Sequence, residues 1–180
     1  VKAAAKRWPG AAFIQVDDTR RALQELGAYI RSRLTIPLVG ITGSVGKTTT
    51  REMVAAALSA GFHVFKTPAN HNSQVGVPLT LSQISDTDEI GVLELGMSEP
   101  GEMTVIAQIA AVDMAVITNV GVTHIENLGT RENILREKLK IQDGMRADGP
   151  VFLNGDNDLL GISRAREGHK TVYFGTGENA

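Results

Sequence analysis

The chain has 180 residues, 42% of them apolar, with 18 Lys and Arg against 20 Asp and Glu for a formal net charge of −2. That balance gives no electrostatic footprint for nucleic acid, and the absence of cysteine excludes disulfides and thiolate metal sites, which suits a reducing cytoplasm. No apolar run approaches the length of a membrane span and no signal-peptide core is present, so a soluble, cytoplasmic chain without membrane insertion is expected.

Ala11 to Val16 is a short strand candidate. Asp17, Asp18 and Thr19 then offer capping oxygens for a helix through about Arg33, with Leu23, Leu26 and Ile30 on one face. Beyond Pro37, strand-like and helix-like segments alternate. Strands are expected near 36–41, 62–66, 89–95, 113–119, 150–154 and 171–174, and helices near 47–60, 77–85, 100–110, 130–146 and 157–165. The alternation predicts an α/β fold with a doubly wound, mostly parallel sheet. Ligands of such sheets sit at the carboxyl ends of strands, so loops 42–47, 67–76, 94–100 and 119–130 should share one rim. The chain starts at Val1 and stops just after the strand-like Val172-Tyr173-Phe174, so it is expected to be a piece of a longer protein.

The most informative stretch is Gly40-Ile41-Thr42-Gly43-Ser44-Val45-Gly46-Lys47-Thr48-Thr49-Thr50, between an apolar run and a helix-prone segment. Glycines let backbone N–H groups approach phosphate oxygens, and the helix starting near Lys47 aims its free N–H groups and positive end at the same anion. Lys47 is placed to reach terminal phosphates and Thr48 to ligate Mg²⁺. Ile41 stands where the standard G-x-x-x-x-G-K spacing has glycine, so this is a shorter variant of the P-loop. An ordinary glycine turn before a helix fits this order of elements poorly. A nucleoside triphosphate site is predicted.

Glu94 lies in an otherwise apolar strand, where a carboxylate is costly unless paired or metal-bound. Mg²⁺ beside the triphosphate is favoured over a basic partner or a route to solvent. His124 follows the strand ending at Asn119 and suits a metal or phosphate, although an ordinary hydrogen-bonded loop role is the simpler reading of that residue alone. The loop Thr67 to Gln74, with Asn70, His71 and Asn72, is either plain turn chemistry or a set of amides for a base or substrate. On the helix Arg131–Gln142, Ile134, Leu135, Leu139 and Ile141 form the apolar set, and spacing leaves Lys138 and Lys140 as solvated charges.

Taken together these segments resemble the Mur ligase family, the ATP-dependent amide-forming enzymes of peptidoglycan synthesis. The match runs through the glycine loop, Thr67 to Leu81, Leu93 to Met103, Ala115 to His124, Glu137 to Ile141 and Phe152 to Asp156. The resemblance implies a three-domain parent with a UDP-sugar-binding first domain, a central ATPase and a carboxyl-terminal domain. Residues 1–34 would be the tail of the first, and 35–180 an incomplete central ATP-binding domain, with the third absent. It further implies ATP and Mg²⁺ as cofactors. Gly43, Ser44, Val45, Gly46, Lys47, Thr48 and Thr49 would hold phosphate, Asn72 would lie in the nucleotide-site loop, and Asn154 near the adenine. Thr48, Glu94, His124 and a carbamylated Lys138 would surround the metal, with Lys47, Glu94, His124 and Lys138 as the catalytic set. The family's Gly-Asn-x-Asn-Asn is here Ala69-Asn70-His71-Asn72-Ser73, which puts that loop's contacts in question. The loop Met97 to Glu102 favours the member that adds D-alanyl-D-alanine to a UDP-N-acetylmuramoyl-tripeptide, working as a monomer. Another Mur ligase, a folylpolyglutamate-synthase-like ligase and a catalytically idle ATP-binding module are the alternatives.

Overall fold

In the computed structural model, which describes residues 6–177, the elements run α1 Thr19–Arg33, β1 Leu38–Thr42, α2 Lys47–Leu58, β2 Val64–Lys66, α3 Gly76–Leu81 and β3 Ile90–Glu94. They continue with α4 Glu102–Ala110, β4 Met114–Ile117, α5 Ile125–Leu128, α6 Arg131–Leu139 with a 3₁₀ turn Lys140–Gly144, β5 Pro150–Asn154 and β6 Lys170–Phe174. Among the described residues no helix is long and apolar enough to cross a membrane.

Asp18 caps α1, its carboxylate accepting the Arg20 and Arg21 amides at 2.8 and 3.0 Å, which satisfies two of the helix's orphan donors. The inward face differs from the expected one: Leu23 and Ile30 are half-buried, but Leu26 is exposed and Gly27 and Arg31 take the buried positions. Arg31 is held there because its guanidinium bonds the Ala110 and Ala111 carbonyls at the end of α4 and the Asp113 carboxylate at 2.8 Å. Asp113 also accepts the Leu38 amide at the start of β1.

All six strands are parallel, in the order β2-β3-β1-β4-β5-β6. β1 and β3 are buried at every position, which is why both read as continuous apolar runs. Register pairs Ile41 with Glu94 and Thr42 with Ile117, so the carboxyl ends of β3, β1 and β4 lie level. The chain leaves β1 toward β2 and leaves β4 toward β5. The crevice between those two exits is the switch point where doubly wound sheets bind ligands.

The two faces of the sheet are covered unequally. On one, Ala115, Ile117, Val151 and Leu153 are fully buried in a core shared with α1, α3, α4 and α6. On the other, α2 packs Val54, Ala55 and Leu58 over Val39, Ile41, Ile90 and Val92. Met114, Val116, Phe152 and Phe174 line an apolar trough of about 360 Å³ beside that helix.

Two expected elements are absent. Residues 11–16 run exposed with no ladder partner among the described residues, and an isolated strand has nothing to bond its backbone. Residues 157–162 form turns rather than a helix, and the Asn157 side chain accepts the Leu160 amide at 3.1 Å. The helix expected over 130–146 is α only to Leu139 and then tightens.

Candidate active site

The glycine loop is clasped by the end of β4. The Ser44 amide bonds the Asn119 carbonyl at 2.9 Å, Thr118 Oγ1 donates to the Val45 carbonyl at 2.7 Å, and the Gly121 amide donates to Ser44 Oγ at 3.0 Å. A side chain at Gly43 would strike Thr118 Oγ1, and Gly46 takes φ 82° at the start of α2, so both positions require glycine. The loop therefore arrives rigid, with the amino end of α2 facing the crevice.

Gly43, Lys47, Asn72, His124 and Lys138 line one cleft of about 190 Å³, together with Gly96, Ser98 and Glu102. Lys47 Nζ folds onto the Gly43 carbonyl at 2.8 Å; burial pushes its amine below the ordinary lysine value against the opposing pull of Glu94. Glu94, 3% exposed, stands behind the cleft. Its carboxylate accepts Asn72 Nδ2 at 2.8 Å, Thr48 Oγ1 at 2.9 Å and Arg51 Nη1 at 3.4 Å. Asn72 is brought there by the close approach of its loop to Gly96, whose amide bonds the Asn72 carbonyl at 2.8 Å. His124 sits at φ 64°, a left-handed position that histidine tolerates better than most residues.

Lys138 is not the solvated charge that spacing implies; it is 3% exposed. Burial, and then repulsion from Lys47, lower its amine to about 7, with Glu137 opposing. The helix has little free surface at this point, because the adjacent Glu137 carboxylate accepts the Gly101 and Met103 amides and so caps α4. Lys140 matches expectation better: half-exposed, it pairs with Glu137 at 2.6 Å.

Other predicted residues lie outside the cleft lining. Val45 and Thr49 face solvent, while Ser44 is spent on the loop's own bonds. Asn154 donates to the Thr118 carbonyl and accepts the Asp156 amide, so it braces the β4 and β5 ends. Ser73 Oγ accepts the Gly76 amide at 3.2 Å, and Ala69 takes φ 47°, a conformation natural to glycine.

Arg51 and Glu102 are charged site residues that the sequence reading did not single out. Arg51 is Glu94's basic partner; its place three residues after Thr48, on the same face of α2, was the available signal. Glu102 lines the cleft and accepts the Ser98 and Glu99 amides and Gln74. Burial raises its carboxyl, but these bonds, with His124 adding, hold it below the usual range.

The donors suit a hard divalent cation. A hydroxyl and a carboxylate adjoin the phosphate loop, and Thr42 Oγ1 and Asn119 Oδ1 are buried at the same rim without partners. Among the described residues no three His, Cys, Asp or Glu side chains cluster.

A family model described as the Mur ligase middle domain matches residues 41–180. The chain belongs to the Mur ligase family. Among its relatives, the UDP-N-acetylmuramoyl-tripeptide–D-alanyl-D-alanine ligase of Bacillus subtilis is 42% identical over 166 residues, 92% of this chain and 36% of that protein. The crystal structure of MurF from Acinetobacter baumannii superposes with a TM-score of 0.85 at 34% identity, covering 90% of this chain and 36% of that one. MurF from Thermotoga maritima, solved with ADP, gives 0.81 at 33% identity over 89% of this chain and 37% of that one. This Mur ligase chain thus spans about a third of the length of the relatives it matches.

Proposed function

We propose that the protein carrying this chain binds Mg²⁺–ATP in this cleft and joins D-alanyl-D-alanine to a UDP-N-acetylmuramoyl-tripeptide through an acyl phosphate. The observation that carries the reading is the convergence of Lys47, Asn72, His124 and Lys138 on one cleft at the switch point, with Glu94 behind Thr48. The substrates follow from the names of relatives 41–42% identical over most of the chain.

Apart from Ser44, whose amide bonds Asn119, the backbone amides of Gly43 to Thr49 and the amino end of α2 receive the phosphates. A substrate carboxylate oxygen bonds the γ-phosphorus as its bond to the bridging oxygen breaks and ADP leaves. The amine nitrogen then bonds the acyl carbon, phosphate departs and the amine releases a proton. Lys47 neutralises charge on the transferring group, and the rigid loop holds it in line. Bound Mg²⁺ supplies further charge neutralisation, and Thr48 and Glu94 are the oxygen donors assigned to it, with His124 alongside.

Lys138 works in this reading as a carbamate. A neutral amine attacks CO₂, an N–C bond forms and a proton is released, turning a cation that repels Mg²⁺ into an anion that attracts it. The buried position and an amine lowered to about 7 support a reactive neutral form. Lys138→Ala should cripple turnover more than nucleotide binding, with partial rescue by short carboxylic acids; full activity in that variant overturns the assignment.

Residues 1–34 are read as the tail of the amino-terminal substrate domain, since the family match begins at residue 41. The protein is read as a cytoplasmic monomer, and this piece alone is expected not to ligate. The decisive assay offers the full-length protein several amines and UDP-peptides with ATP. Formation of the D-alanyl-D-alanine product, lost in Lys47→Ala, is the expected result. Preference for a single amino acid would move the protein to another branch of the family, and undiminished turnover in Lys47→Ala would remove the ATP site from this cleft.

A further inference from the structure

Arg51 lies one turn beyond Thr48 on α2 and is 5% exposed. Two edges of its guanidinium are used differently. Nε and Nη2 both donate to Glu52 Oε1, at 3.1 and 2.7 Å, and Glu52 is in turn paired with Lys66 on β2. Nη1 donates to the Ala69 carbonyl at 2.8 Å and reaches Glu94 Oε2 at 3.4 Å. Charges therefore alternate from the surface inward through Lys66, Glu52, Arg51 and Glu94.

We infer that Arg51 is a positioning residue that fixes both the Glu94 carboxylate and the Ala69–Asn72 loop against the glycine-loop helix. The inference rests on the proposed nucleotide site and deepens it. Glu94 is bonded by three groups from two elements, Thr48 and Arg51 from α2 and Asn72 from the loop. Arg51 alone touches all three parts, since it also holds the Ala69 carbonyl. That carbonyl belongs to a residue at φ 47°, which an alanine leaves readily unless something holds it. Without Arg51 the loop loses its tether three residues before Asn72, and Glu94 loses its only direct ion pair among the described residues. A lysine carries the charge but not the planar fork that bonds Glu52 on one edge and Ala69 on the other.

The test uses the full-length protein, with ADP plus Mg²⁺ and ADP plus chelator as probes in calorimetry, and amide hydrogen exchange over residues 69–73. Arg51→Met should weaken Mg²⁺–ADP binding about tenfold or more while metal-free ADP changes by less than about threefold, and exchange at 69–73 should quicken. Arg51→Lys should fall between wild type and Arg51→Met. Glu52→Gln, which alters only the outer anchor, should quicken exchange with a smaller loss of affinity. If Arg51→Met does not fold, Arg51→Lys and Glu52→Gln decide. Wild-type exchange and affinity in both would overturn the inference. A residue serving stability alone would lower the melting temperature and leave the metal-dependent difference unchanged, which also overturns it. Failure of the wild-type protein to bind Mg²⁺–ADP would instead refute the nucleotide site itself.

Discussion

Glu94 stands behind the cleft that Lys138 lines, and the two are equally buried yet treated in opposite ways. Glu94 is surrounded by donors: an amide, a hydroxyl and a guanidinium. Lys138 Nζ has no hydrogen bond among the described residues and is pressed further by Lys47. A buried charge that is fully partnered holds structure together, whereas a buried charge left alone is a liability unless chemistry requires it. The acid side of the cleft is the ordered one, and the chemistry proposed above falls on the amine side.

The largest effect should come from breaking the acid side. Glu94→Ala leaves the Asn72 amide and the Thr48 hydroxyl without their buried acceptor, while Arg51 keeps Glu52, and should cost about 3 kcal/mol in denaturant unfolding. A loss below about 1 kcal/mol would show that Glu94 is held no better than Lys138. The opposite sign is expected across the cleft. Lys138→Met should raise stability at neutral pH by about 2 kcal/mol while abolishing turnover.

The pH dependence follows from the same amine. Its value falls from 10.5 unfolded to about 7 folded, so between those values the unfolded chain binds the extra proton. Stability contributed by this site therefore rises with pH from about 7 to about 10, and the cost is fully present below 7. Unfolding midpoints of wild type and Lys138→Met should converge as pH rises through that window; parallel curves would mean the amine is not the source.

Smaller changes sharpen the comparison. Ala69→Gly removes the strain of a left-handed alanine but adds backbone freedom to the unfolded chain, and should stabilise by about 0.5 kcal/mol. Destabilisation would mean that the Arg51 tether does not have to oppose strain. Lys140→Ala removes a half-exposed partner of Glu137, whose carboxylate keeps two backbone amides, and should cost only a few tenths of a kcal/mol with mild effect on turnover. A turnover loss matching Lys138→Ala would place the reactive amine at the wrong lysine.

What sequence could show here depended on how local each signal was. The parallel sheet, the glycine loop and the Asp18 cap rest on contiguous residues and were legible. Glu94 is legible as anomalous because one charge interrupts an apolar strand, whereas the only signal for its partner Arg51 is a place one turn after Thr48, which names a helix face but not the residue it meets across the fold. Lys138 was invisible to periodicity since α6 is enclosed: Glu137 turns toward the α4 amides and the next residue faces the cleft, so neighbouring positions are both buried. Only resemblance to a family singled it out. The turns at 157–162 and the unpaired run 11–16 have adequate local propensity, and for the second no neighbouring strand lies among the described residues.

The trough lined by Met114, Val116, Phe152 and Phe174 leaves one face of the sheet more open than the other among the described residues. Hydration of one face shortens the lifetime of the hydrogen bonds beneath it, so opening should be graded across the strands. Amides of β1 and β3, enclosed on both faces, would be the last to take up deuterium, and those of β6 at the sheet's margin the first. The same uncovered strip would bind an apolar dye such as ANS while the fold is intact. In this chain dye fluorescence is therefore a property of the native state and no sign of a loosened one.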